Sequence, residues 1–211
     1  MLEQSFLIKP INCNSASYQN AEAEMKPKPE HFHLLLLLLL VASVAAAETN
    51  LESSCKKVAS LIPATAGERY NFCITSLQVV HGSQFADALG LDLISAGLTK
   101  TAYNHNRILS EELLTGPELS EAERTAIRSC AAGYAAGGLY LDRGNTWIES
   151  GEGGLNSALF SFQEAWLRAE ECVENLRDAY SGDDTSLMAK ENSHALGLID
   201  IVLKLTLLLK V

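Results

Sequence analysis

Apolar residues recur along this chain at helical spacing. The sharpest case is Leu155, Leu159, Phe162, Trp166, Ala169, Val173, Leu176 and Tyr180. Their alternation of four and three draws one seam along about seven turns at 3.6 residues per turn. A second seam runs through Ala195, Leu198, Val202, Leu205 and Leu209, and Gly182-Asp183-Asp184 separates the two. A short turn of that kind joins antiparallel helices. Upstream, Leu91, Ile94, Leu98, Thr101, His105 and Ile108 give a weaker seam that stops at Thr115-Gly116-Pro117, where Pro117 cannot continue a helix. Ser120 and Glu123 then make a capping box that opens a helix carrying Ile127, Cys130, Tyr134, Leu141 and Ile148. Period-two strand patterns are nearly absent, so the expected fold class is all-α.

Four long helices with short connections predict an up-down-up-down four-helix bundle over residues 85–211. Residues 48–84 precede it. They open on a second capping box, Thr49 and Glu52, and are broken at Pro63 and Gly67. A short helical hairpin with Cys55 and Cys73 on separate arms is the expected element. Gly133, Gly137, Gly138 and Gly144 weaken the Cys130 helix by up to about 1 kcal/mol each relative to alanine. Close packing of a neighbour against them would explain their presence.

The beginning of the chain follows a different pattern. From Met25 there is a basic start (Lys26, Lys28), an apolar run from Leu34 to Val41, and a small-residue end at Ala45-Ala46-Ala47. These are the three parts of a secretory signal. The run is short of the roughly 20 residues a membrane span needs, so cleavage after Ala47 is expected. Residues 1–24 are expected to be a gene-model extension or disordered, with 25–47 the signal peptide and 48–211 the functional domain. The C-terminal segment Leu196–Val211 is apolar but interrupted by Asp200, Lys204 and Lys210, and is expected to pack as the last helix.

Composition narrows the partners. The whole chain has 16 Lys and Arg against 26 Asp and Glu, net −10. Removing Lys9, Lys26, Lys28 and Glu3, Glu22, Glu24, Glu30 with the leader leaves net −9. That balance argues against nucleic acid or an anionic membrane, both of which need cationic patches. Cys13 falls in the leader, leaving Cys55, Cys73, Cys130 and Cys172. Four cysteines in a small secreted chain read as two disulfides, and composition alone leaves three pairings open. No CxxC or Cys/His cluster suggests zinc, and no Asn-x-Ser/Thr acceptor occurs after Ala47. His81, His105 and His194 lie apart, without a nucleophile motif or metal spacing. They are expected to be structural or surface residues, with His105 partly buried. Glu164, Glu170, Glu171, Glu174 and Asp178 are expected on a solvated face, and Trp166 and Tyr134 in the core. No acid, base and nucleophile set is visible, so no enzyme activity, cofactor or metal is expected.

Several segments together resemble the plant inhibitors of pectin methylesterase and of cell-wall or vacuolar invertase. They are "CKKVASLIPATAGERYNFCITSL", "LGLDLISAGLTKTAYNHNRILSEELL", "RSCAAGYAAG" and "ALFSFQEAWLRAEECVENL". The run is most similar to the family's invertase-inhibitor-like pollen allergens. The resemblance implies pairing of Cys55 with Cys73 and of Cys130 with Cys172, a hairpin on a four-helix bundle, and a protein that blocks a carbohydrate-active enzyme in the apoplast or cell wall without catalysis of its own. Invertase inhibitors of the family carry Pro-Lys-Phe after a Gly-Asp in the turn between the disulfide-bearing helices. Here the matching turn is Gly151-Glu152-Gly153-Gly154-Leu155. It has neither the cation nor the rigid aromatic anchor, so pectin methylesterase is the expected target and that turn the candidate contact. Invertase is the alternative, and a secreted carrier of an apolar ligand, housed near Gly137, a further one.

Overall fold

The computed structural model describes residues 48–116, 118–180 and 188–210. The expected leader and extension, Cys13, Pro117 and the Gly182-Asp183-Asp184 turn lie outside them. Six α-helices and no strand occur among the described residues: α1 Asn50–Ser60, α2 Ala66–Leu77, α3 Ala88–Leu113, α4 Glu121–Glu149, α5 Leu155–Ala179 and α6 Ala189–Leu208. Short 3-10 turns occur at Pro63–Thr65, Ser83–Phe85 and Glu152–Gly154. The fold class is all-α. Glu48–Val211 form one compact unit.

Both capping boxes form. Thr49 Oγ1 accepts from the Glu52 amide at 3.2 Å while Glu52 Oε2 accepts from the Thr49 amide at 3.0 Å. Ser120 Oγ accepts from the Glu123 amide at 3.3 Å, and Glu123 Oε2 from the Ser120 amide at 2.7 Å. Each box satisfies amides that a helix start leaves without partners. The bonds to Ser120 hold the Glu123 carboxyl below its ordinary range. Asp87 caps α3 through Gly90, at 2.7 Å.

The four long helices touch in a ring, with α4 against α3 and α5, and α6 against α3 and α5. Tyr103, Tyr134, Leu141, Ile148, Phe162 and Ile199 fill the middle. A second cluster, Leu51, Cys55, Val58, Cys73 and Leu77 with Leu91, Ile201 and Leu205, joins the α1–α2 hairpin to the start of α3 and the end of α6. This explains why α6 is buried on more than one side and reads as continuously apolar. The helices α1 and α2 pack on each other and are tied by Cys55–Cys73. Cys130–Cys172 ties α4 to α5, with 4.6 Å between Cα atoms. The pairing is the one the resemblance implies. Two disulfides are consistent with a secreted or extracellular protein. No helix among the described residues is long and apolar enough to cross a membrane.

The α4 seam is buried as expected, Ile127, Cys130, Tyr134, Leu141 and Ile148 all facing inward. Two other seams need correction. On α3 only Leu91 of the expected set is buried; Thr101, His105 and Ile108 are exposed. The inward face is instead Asp92, Ser95, Ala96, Thr99, Tyr103, Asn106 and Ser110. Its hydroxyls are satisfied within the helix, Ser95 donating to Asp92 O at 2.8 Å, Thr99 to Ser95 O at 2.8 Å and Ser110 to Asn106 O at 2.7 Å. A hydroxyl bonded to its own backbone enters a core at little cost. On α5, Leu159, Trp166, Val173 and Tyr180 are only half-buried. The deepest face is Ala158, Phe162, Ala165, Ala169, Cys172 and Leu176. Small residues sit innermost because α4 comes close there.

That approach depends on the α4 glycines. A Cβ at Gly137 would lie 2.5 Å from Tyr103 Cε2, and one at Gly144 2.2 Å from Phe162 Cε1. Both rings are buried and have no space to swing into. Gly144→Val should therefore destabilise by about 3 kcal/mol, the upper range for overpacking a filled core. At Gly138, where nothing lies within 4 Å, alanine should stabilise by about 0.5–1 kcal/mol through helix propensity. Urea unfolding of both variants tests the pair. Equal effects would show that propensity, and not ring packing, governs these sites.

Candidate functional site

The α4–α5 corner starts from Gly151, whose φ of 85° places it in the left-handed region that favours glycine. Its amide donates to Ile148 O at 3.0 Å, and its carbonyl accepts from the Gly154 amide at 2.9 Å. Gly154 is required for space, since a Cβ there would lie 2.0 Å from Trp147 O. Leu155 is 7% exposed and seals the end of the core. Of the five residues expected to contact a target, Gly151 and Gly153 are exposed, while Gly154 and Leu155 are buried. The side chain of Glu152 lies outside the described residues. The corner is a folding device with a small exposed tip.

The larger surface beside it was not anticipated from the seams. On α4, Tyr140, Arg143 and Trp147 recur at i, i+3 and i+7 and share a face, with the Arg143 guanidinium 5.6 Å from the Tyr140 ring centroid. On α5, Phe160, Glu164, Arg168 and Glu171 recur at four, four and three. Arg168 O lies 3.1 Å from where a Gly133 Cβ would be, and Ala165 O 3.7 Å from one at Gly137. This antiparallel register sets Phe160 level with Arg143. Trp147 is 42% and Phe160 64% exposed, and Arg168 pairs with Glu171 at 3.0 Å and with Glu164 at 3.9 Å. The result is an aromatic and arginine-bearing strip ending at the glycine corner. Its signal in the sequence was the Tyr-x-x-Arg-x-x-x-Trp spacing, flanking the core residues of α4.

The remaining candidates separate. His81, His105 and His194 are all exposed, which corrects the expectation that His105 is partly buried. Glu171, Glu174 and Asp178 are exposed, Glu164 and Glu170 half-buried. Tyr134 is core, whereas Trp166 packs at its edge. Among the described residues no group of three His, Cys, Asp or Glu side chains could hold a metal ion. The space expected beside Gly137 is filled by Tyr103, so an apolar ligand has no room there.

The core also holds titratable groups. Asp92 is fully buried; its Oδ2 accepts from Thr206 Oγ1 at 2.8 Å, and Oδ1 has no partner among the described residues. Burial raises its pKa from 3.8 to about 7, against the smaller opposing effect of the Thr206 bond. The Tyr134 hydroxyl donates to Asn192 Oδ1 at 2.6 Å, and burial pushes its pKa up to about 12. Tyr103 donates to Ala165 O at 2.9 Å, and its pKa is likewise raised by burial. Asn106 Nδ2 donates to Glu191 O at 3.1 Å. These bonds cross between helices and fix their register.

No family model matches the chain, and no curated protein matches it.

Proposed function

We propose that this protein is a secreted inhibitor of a plant cell-wall carbohydrate-active enzyme, with pectin methylesterase as the target and invertase as the alternative. The reading takes the four long helices as an up-down-up-down bundle carrying the α1–α2 hairpin. Their ring of contacts and the short α4–α5 connection support that arrangement. The observation that carries the functional reading is the disulfide-tied α4–α5 pair with exposed Arg143, Trp147 and Phe160 beside the half-buried Tyr140. Aromatic and arginine side chains on a rigid support suit the anchors of protein interfaces. Inhibition would be steric: the strip and the tip at Gly151 and Gly153 dock at the rim of the polysaccharide cleft and close it reversibly. The acidic residues along α5 would mainly speed encounter with a basic rim. The glycine corner supports pectin methylesterase over invertase, because Gly151 and Gly154 are demanded by backbone geometry and leave no place for a projecting cationic tripeptide. Secretion into the apoplast belongs to the same reading.

The test is a titration of the oxidised protein against purified pectin methylesterase and cell-wall invertase at acidic pH. The esterase should be inhibited, and Trp147→Ala with Phe160→Ala should weaken inhibition at least about 30-fold, as loss of an interface anchor does. Inhibition of invertase alone would favour the alternative target. Inhibition of neither enzyme by folded protein would overturn the reading.

A further inference from the structure

A second surface, formed by α2, α3 and α6, has a different chemistry. Phe72 of α2 lies against α6, its ring edge-on to His194 with 5.7 Å between centroids. The same ring fills the space over Gly197, where a Cβ would lie 2.6 Å from Phe72 Cζ. Alongside runs an open groove of about 630 Å3, within the roughly 300–1,000 Å3 typical of small-molecule sites. Phe72, Val79, Leu98, Ala102 and Leu198 give it apolar walls. Val79 is 71% exposed, an apolar side chain left in water at the groove edge.

The charged and imidazole lining groups gather at one end. Asn106 Nδ2 bonds Glu191 O across the α3–α6 contact, so His105, Lys190 and Glu191 share that level, and His194 follows one turn along α6. Leu98 and Leu198 lie about two turns further in. The charged and titratable lining groups are His105 from α3 and Lys190, Glu191 and His194 from α6; α2 contributes only Thr75 and Ser76 as polar residues. On a chain of net charge −10, one acid faces an ammonium and two imidazoles here. An apolar trough with donors at one end matches a ligand that is apolar along its length and anionic at its head.

We propose that this groove binds a small amphipathic carboxylate, its apolar chain or ring along Phe72, Leu98, Ala102 and Leu198 and its carboxylate among Lys190, His105 and His194. The site shares no residue with the α4–α5 strip, so it stands or falls independently of the inhibitor reading. It was hidden in the sequence because Leu98, Thr101 and His105 form a helical period that resembles a core seam. In the structure that period is the groove wall.

The probe is cis-parinaric acid, an 18-carbon fluorescent carboxylate, titrated into the oxidised protein produced from the full chain and compared with its methyl ester. The acid should bind saturably at one site per chain, and the ester at least tenfold more weakly. Lys190→Glu should weaken the acid about tenfold and leave the ester unchanged, the scale of one charge-assisted hydrogen bond. Thr101→Trp and, separately, Thr75→Trp place a large ring in the groove from exposed positions, so each should remain folded by circular dichroism and lose uptake of both probes. No saturable uptake by folded protein would overturn the proposal. Equal affinity for acid and ester, or unchanged uptake by both tryptophan variants, would do so as well. A dimer that excludes the probe would show that a second copy covers the groove, and would equally overturn it.

Discussion

Replacing Cys130 and Cys172 together by alanine should cost about 4 kcal/mol of unfolding free energy. The bridge spans 42 residues of sequence, and the loop-entropy relation assigns a cross-link of that span about 4 kcal/mol, gained by restricting the unfolded chain. Both cysteines are buried, at 0% and 1% exposure, so the alanine pair also removes packed sulfur from the α4–α5 contact. The Cys55–Cys73 bridge spans 18 residues and should contribute about 3 kcal/mol on the same relation. It lies in the hairpin cluster, away from the α4–α5 contact. Urea unfolding of the two double variants, followed by far-ultraviolet circular dichroism, gives both numbers. A loss below about 1 kcal/mol for the Cys130/Cys172 pair would mean that the glycine-mediated packing already holds α4 on α5, and that the unfolded chain gains little freedom when the bridge is removed.

The second large effect is a pH dependence centred on Asp92. Its carboxyl titrates near 3.8 in the unfolded chain and at about 7 in the folded one. The folded state therefore holds a proton that the unfolded state has released throughout the interval between those values. Stability falls wherever the unfolded state binds fewer protons than the native one. Asp92 thus favours folding below about pH 4, and the advantage is lost progressively as pH rises towards 7. Above that range the native state must bury a carboxylate whose Oδ1 has no described partner. At about 1.36 kcal/mol per pH unit, the displacement amounts to about 4 kcal/mol between the two limits. Asp92→Asn keeps the shape and can still accept from Thr206 but carries no charge. It should flatten the decline between pH 4 and 8 and raise stability at pH 8. Parallel curves for wild type and variant would remove Asp92 as the source. This contribution favours the folded state in acid, in keeping with the setting proposed in the cell wall.

How much of this was legible in the sequence differs from helix to helix. Both capping boxes could be read because they depend on residues three apart, and a short-range bond between Thr49 and Glu52 or Ser120 and Glu123 needs no partner from elsewhere. The α4 seam was legible because its buried positions are large or aromatic and evenly spaced. On α3 the rule failed. Apolar periodicity selects the face with the largest side chains, but α3 turns most of that face towards the α2–α6 groove and buries Ser95, Thr99, Asn106 and Ser110 instead. Those residues are small enough for close approach, and their hydroxyls bond to their own helix, so neither size nor polarity kept them from the core. The innermost face of α5 was misplaced for a related reason: alanine carries little weight in an apolar pattern, yet it lies closest where glycines on α4 admit a neighbour. The break between α4 and α5 was legible, but a sequence cannot show that Gly154 is held against Trp147 O or that Leu155 is drawn into the core.

Taken by itself, then, the sequence determined what is local: helix periods, caps, breaks, an acidic balance and four cysteines beyond the expected leader. Tertiary structure alone decided which face of each helix turns inward and that Asp92 is buried beside Thr206. It also decided that Tyr140, Arg143, Trp147 and Phe160 form one surface and that α2, α3 and α6 leave a groove whose ammonium, carboxylate and imidazole groups gather at one end. The division follows from range. Propensity and capping act within a turn or two of one helix, whereas burial, pKa and surface chemistry depend on residues far apart in sequence, as Asp92 and Thr206 are at 114 positions, whose meeting is set by how whole helices pack.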